Sequence, residues 1–170
     1  MNTRGLIWLV AYTGSIVLAN WLVIAFGLLP IGPLLIPAGT FAAGLTFGLR
    51  DLVQRDLGKR WTVIAILVGA GLSALLSPQL ALASGAAFLA SELLDFAVYT
   101  RLLARGWVPA VVASNVVGGL LDTALFLVLA GFWSWPALIG VVLVKWLMTA
   151  PILALGAWRG GSRRLVAHGA

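Results

Sequence analysis

The chain has 170 residues, 62% hydrophobic and only 9% charged, with a formal net charge of +6. A soluble domain carries about a quarter charged residues, so this composition excludes an ordinary water-soluble fold and points to the bilayer as solvent. The basic excess falls in short gaps between apolar runs rather than on a folded surface, which argues against a nucleic-acid partner.

The absence of cysteine rules out disulfides, thiol nucleophiles and Cys-based metal sites. The single histidine, His168, reads as a tail residue rather than a ligand.

A membrane-spanning helix needs about 20 mostly apolar residues. Six segments qualify or come close. The first, Leu6–Leu28, follows Met1-Asn2-Thr3-Arg4 and is too long for the apolar core of a signal peptide. Leu34–Leu49 and Trp61–Leu76 are short, and Leu80–Tyr99, Val108–Ala130 and Ala137–Trp158 complete the set. The sequence therefore predicts an all-α membrane protein: one polytopic domain of six transmembrane helices.

Three links, Pro30-Ile31-Gly32-Pro33, Ser77-Pro78-Gln79 and Trp133-Ser134-Trp135-Pro136, are turn-forming and uncharged. The alternate links carry Arg50, Arg55, Lys59 and Arg60, then Arg101 and Arg105. Arg4 precedes the first segment, and Arg159, Arg163 and Arg164 follow the last. Ten of the eleven basic residues thus lie on one set of segments. The positive-inside rule places those links and both termini in the cytoplasm, as expected for the inner membrane of a prokaryote.

The eleventh basic residue, Lys145, lies inside the sixth segment. It joins Glu92, Asp95 and Asp122 as an ionisable group at membrane depth, with Asn20 and Asn115 as buried amides. An ionised side chain there costs roughly 2.5–3.5 kcal/mol on insertion scales, so such residues face the bundle interior, pair, or line a wet cavity. At about 1.5 Å per residue, Asp122 and Lys145 lie at similar depths on antiparallel helices. A salt bridge between them is expected, serving structure, function or both.

Glu92, Asp95 and Tyr99 share one helix face. The plainest partners for Asp95 are Arg101 or Arg105. Asn115, Gly118, Gly119 and Asp122 form a stripe on the fifth segment, whose glycines serve close packing or open room for a ligand. Among the eight tryptophans, six fall near helix ends, while Trp21 and Trp146 lie deeper, as candidates to touch a ligand. No G-x-S-x-G, H-E-x-x-H or Walker A pattern occurs, so no enzyme is expected.

Three stretches carry a family resemblance. They are Pro37-Ala38-Gly39-Thr40-Phe41-Ala42-Ala43-Gly44 continuing through Leu49-Arg50-Asp51-Leu52-Val53-Gln54 to Lys59-Arg60; Ala83–Tyr99 with its Ser91-Glu92-Leu93-Leu94-Asp95-Phe96-Ala97-Val98-Tyr99 run; and Ala113-Ser114-Asn115 with Asp122-Thr123. Together they resemble the vitamin uptake transporter (VUT) family of queuosine-precursor transporters. The resemblance implies import of 7-cyano-7-deazaguanine or its aminomethyl derivative. It also implies a six-helix fold similar to the substrate-binding subunits of energy-coupling-factor transporters, for which the partner is an energising subunit; a homodimer is the partner that the half-carrier reading below requires.

A guanine-like edge offers two N–H donors and a carbonyl. A carboxylate meets the donors, and an amide or ammonium meets the carbonyl. The candidate substrate-binding residues are accordingly Glu92, Asp95, Asn115, Asp122, Lys145, Asn20, Phe88 and Trp146, with Trp21 and Phe41 as further stacking surfaces. No cofactor or metal is expected. Two other readings remain open. Arg55-Asp56-Leu57-Gly58-Lys59-Arg60 is similar to the conserved loop of major-facilitator carriers, for which six helices would be half. A membrane scaffold would use the buried charges only as structural pairs.

Overall fold

The computed structural model describes residues 3–32, 34–76, 81–131 and 133–167. His168, Pro33 and the Ser77-Pro78-Gln79 link lie outside them. Six helices and one hairpin follow in order: α1 (Thr3–Phe26), β1 (Leu28–Ile31), β2 (Leu34–Pro37), α2 (Thr40–Leu57), α3 (Lys59–Leu76), α4 (Ala81–Leu102), α5 (Trp107–Leu129) and α6 (Trp135–Ala167). A single 3-10 turn, Leu103–Arg105, separates α4 from α5.

The segment expected as a helix over Leu34–Leu49 divides. Its first part is strand β2, paired antiparallel with β1 so that Leu28 faces Pro37 and Ile31 faces Leu34. Prolines at 30, 33 and 37 explain this. Each removes a backbone donor and blocks the preceding turn of a helix. The hairpin is not all-α, and it is built in rather than free: Ile36 is buried, and Leu34 and Ile36 lie against α6 at Gly140.

Helix α2 begins at Thr40 and runs through the charges that the sequence placed in a link. No glycine or proline interrupts it between Gly48 and Gly58. Gly58 then turns the chain with φ +83°, a left-handed conformation that a side chain resists. Lys59 already opens α3. The Arg55–Arg60 stretch is therefore a helix end, a one-residue corner and a helix start.

Helices α1, α3, α5 and α6 (over Trp135–Leu155) are each long and apolar enough to cross a membrane. Helices α2 and α4 carry most of the buried charges: Arg50, Asp51, Glu92 and Asp95. Of the 18 residues of α2, 12 are buried, and none of its large hydrophobic residues is exposed. α2 is thus the inner helix, lying against α1 and α6. Apolar faces of the outer helices point away from it, with Ile7, Val10, Val17, Ile24, Leu67, Val128, Leu143 and Leu147 exposed. Lipid tails are as apolar as leucine, so small residues and polar contacts must join such helices. Gly44 and Gly48 of α2 lie directly against Lys145, Met148 and Ile152 of α6, where a Cβ would collide. The apolar core beneath comprises Tyr12 and Ile16 of α1, Leu49, Leu52 and Val53 of α2, and Ala65 of α3.

Candidate functional site

Two polar groups occupy the interior. The first is built on α2 around Arg50, which is wholly buried. Its Nη2 lies 2.9 Å from Asp51 Oδ1 and 2.6 Å from Asp95 Oδ2. Its Nε lies 3.3 Å from Glu92 Oε2. Glu92 and Asp95 are three residues apart on α4, so one helix face presents both carboxylates to the guanidinium. The planar fork of arginine presents five N–H donors in a fixed geometry, so it holds acceptors spread over several positions. Tyr99 continues the same face, its ring 5.6 Å from the guanidinium carbon. Helix α5 closes the group, with Asn115 Nδ2 donating to Asp51 Oδ2 at 2.9 Å and to the Val111 carbonyl at 2.8 Å.

This arrangement corrects two expectations. Arg50 is not a cytoplasmic link residue, since all of its side chain is inside the bundle. Asp95 does not pair with Arg101 or Arg105, which are exposed. A guanidinium reaching from α2 is nearer than either, because α2 extends two turns further than hydropathy suggested.

The second group is the expected pair on α5 and α6. Lys145 Nζ donates to Asp122 Oδ2 and, at 2.9 Å, to Thr123 Oγ1. Ser91 of α4 donates to the other Asp122 oxygen at 3.3 Å. Lys145 also lies 5.9 Å from the centre of the Phe47 ring, within cation–π range.

A cavity of about 140 Å³ borders both groups. Its polar wall is Asn20 of α1, Glu92 of α4, Asp122 and Thr123 of α5, and Lys145 of α6. Its aromatic wall is Phe47, Phe88 and Phe126. Pro37 and Gly39 border it where β2 meets α2, and Ser73 and Ser84 where α3 meets α4, their hydroxyls 2.6 Å apart. The cavity therefore occupies the half of the bundle nearer the hairpin, and the Arg50 group fills the interior beyond it. Glu92 belongs to both.

Of the eight residues proposed from sequence, Asn20, Phe88, Glu92, Asp122 and Lys145 line this cavity. Asp95, Asn115 and Trp146 do not. Asp95 and Asn115 are committed to Arg50 and Asp51. Trp146 is 37% exposed on the outside of α6, and Trp21 is 54% exposed on α1. Phe41 is not a wall residue either. Depth along a helix placed the tryptophans near mid-membrane but said nothing of which way they turn.

Of the α5 glycines, Gly118 serves close packing. A Cβ at Gly118 would fall 2.7 Å from the Asp95 Cβ, and Gly119 lies beside Trp146. Phe47, Thr123 and Phe126 were not anticipated, nor were Arg50 and Asp51. The signal for the last two was the unbroken stretch up to Gly58, in which Phe47, Arg50 or Asp51, and Gln54 recur at helical spacing.

Residues 73–158, about half of the chain, match the model of a family described as "Putative vitamin uptake transporter". The chain belongs to this family. The match takes in Glu92, Asp95, Asn115, Asp122 and Lys145, whereas Arg50 and Asp51 lie before it. Comparison with curated proteins and with solved structures gave no match. Family membership and the apolar helices make this a multi-pass membrane protein with a small-molecule substrate, and a transporter rather than an enzyme.

Proposed function

We propose that the protein imports a small planar nitrogenous base, a queuosine precursor of the 7-cyano- or 7-aminomethyl-7-deazaguanine type. The observation that carries this reading is the cavity in which two carboxylates and an ammonium converge beside three phenylalanine rings. At about 140 Å³ it is far smaller than the roughly 300–1,000 Å³ of sites for drug-sized ligands. It compares instead with engineered cavities of about 150 Å³ that admit benzene. A single planar ring matches that scale, and a bicyclic base requires the surrounding side chains to give way.

The chemistry of the wall is complementary to a guanine-like edge. Glu92 and Asp122 offer acceptors to adjacent N–H groups. Lys145 and Asn20 offer donors to a carbonyl. Phe47, Phe88 and Phe126 provide faces for stacking. Asp95 and Asn115, first considered as ligand contacts, act here through Glu92 by fixing the Arg50 group behind it.

In this reading all six helices span the inner membrane of a prokaryote with both termini cytoplasmic, and the cavity lies in the outward half. An energising subunit or a second copy would meet the opposite end, where Lys59, Arg60, Arg101 and Arg105 are exposed.

The test is uptake in cells that neither make deazaguanines nor possess their own importer. Cells expressing the protein and given low external precursor should regain queuosine in tRNA. Glu92→Gln and Asp122→Asn, expressed at wild-type level, should each reduce uptake about tenfold or more, as loss of a charge-assisted hydrogen bond does. Normal uptake by both variants rules out this site. No queuosine from wild-type protein present in the membrane rules out the substrate.

A further inference from the structure

The Arg50 group gathers more carboxyls than one cation can balance. Arg50, Asp51, Glu92 and Asp95 are all wholly buried. A guanidinium keeps its proton in any protein setting, and it balances one carboxylate. A buried ion without a counter-charge is strongly unfavourable, so a carboxyl in that position takes up a proton instead. No second cation serves the group among the described residues. Lys145 of α6 is engaged by Asp122 and Thr123 of α5. Helices α1 and α4 add only the phenols of Tyr12 and Tyr99 beside the group, and Lys59 and Arg60 at the start of α3 are exposed. Three carboxyls around one guanidinium thus leave two of them to carry protons.

The three do not share the guanidinium equally. Asp95 lies 2.6 Å and Asp51 2.9 Å from Arg50 Nη2, and Asp51 also accepts from Asn115. Glu92 has only the 3.3 Å approach of Nε, and neither of its oxygens accepts a hydrogen bond among the described residues. The buried Tyr12 hydroxyl lacks a partner as well. Buried polar atoms left open in this way call for an explanation, and a proton that comes and goes at Glu92 supplies one.

Position matters as much as charge. Glu92 is a wall residue of the cavity. On the other side of the group, Arg50 Nη1 reaches Gln54 at 3.5 Å and Gln54 donates to Thr100 at 2.8 Å. Polar contacts therefore run from the cavity wall toward the end where α2 passes into α3. The Arg50–Glu92 contact also joins α2 to α4, so a change of charge at Glu92 changes how those helices are held. Carboxyls placed in this way inside a membrane bundle serve as proton relays.

We propose that the protein is a proton-coupled importer, in which Glu92 takes a proton from the side to which the cavity opens and the proton enters the cell with the base. This rests on the importer reading above and adds its energy source. A protonated Glu92 keeps an acceptor oxygen, so carrying the proton is compatible with its place in the wall.

The experiment is uptake of labelled 7-cyano-7-deazaguanine, an uncharged probe, into liposomes holding the full-length protein, with the voltage clamped at zero by valinomycin and equal potassium. With the interior about one pH unit more alkaline, wild type should accumulate the base about tenfold above the outside concentration, the ratio that one proton per base gives. A trapped pH dye should show the interior acidifying as the base enters. Glu92→Gln should lose both responses from whatever uptake remains. Entry by wild type to no more than the outside concentration, with or without the gradient, overturns the coupling and leaves the importer reading standing. No entry under either condition, by protein with an intact cooperative melting transition, overturns both. Accumulation by Glu92→Gln equal to that of wild type overturns Glu92 as the carrier. The wild-type accumulation decides the coupling even if Glu92→Gln does not fold.

Discussion

Arg50 shows how one side chain organises this protein. It contacts three carboxylates from two helices, its Nη1 reaches Gln54 at 3.5 Å, and Gln54 in turn donates to Thr100 Oγ1 at 2.8 Å. Removing the guanidinium leaves three buried carboxylates without their cation. Breaking a buried ion pair from one side typically costs about 3–5 kcal/mol. Arg50→Met, similar in length and uncharged, should therefore lower the thermal midpoint of the purified protein sharply. Arg50→Lys should rescue it only in part, because a point charge cannot span Asp51, Asp95 and Glu92 at once. A melting curve in detergent reads both variants. A midpoint unchanged in Arg50→Met would mean that the carboxylates do not depend on this residue.

At the scale of elements, the contact between α4 and α5 depends on one missing side chain. A Cβ at Gly118 would lie 2.7 Å from Asp95 Cβ and 3.1 Å from its carboxyl carbon. Asp95 cannot yield without drawing its carboxylate from Arg50. Gly118→Ala should thus destabilise by about 1–3 kcal/mol, the usual range for overpacking, and weaken substrate binding through the displaced Arg50 group. Gly71 has nothing within reach of a new Cβ, so Gly71→Ala serves as control, with little change in the same melt. Much of this was legible in the residues. The Asp122–Lys145 pair followed from counting depth along two antiparallel helices, and Glu92 with Asp95 followed from a spacing of three. What the sequence concealed was azimuth and helix length. Hydropathy ends a span at its first charges, so α2 seemed to stop at Leu49, and Arg50 and Asp51 passed for link residues. The hairpin was hidden for the opposite reason: Leu34, Leu35 and Ile36 are as apolar as any helix, and only the prolines around them forbid one.

For the whole molecule, the distribution of charge gives a direction across the membrane that can be checked without any ligand. With Arg50 and Lys145 inside the bundle, nine of the eleven basic residues remain for orientation. Arg4, Lys59, Arg60, Arg101 and Arg105 are exposed at the end of the bundle where α2 passes into α3 and α4 into α5. The opposite end, with the hairpin and the α5–α6 link, carries Trp133, Ser134 and Trp135 exposed and no charge. Arginine and lysine resist translocation, so the first end should face the cytoplasm and the cavity half should face outward. Because the chain has no cysteine, any introduced thiol is a unique label. Ser134→Cys and Ala104→Cys put one on each end, both at exposed positions. A membrane-impermeant maleimide should label the first in intact cells and the second only after the membrane is opened. The reverse pattern would invert the protein and turn the cavity toward the cytoplasm. Glu92 would then meet its ligand from inside, and the protein would be arranged for release rather than capture.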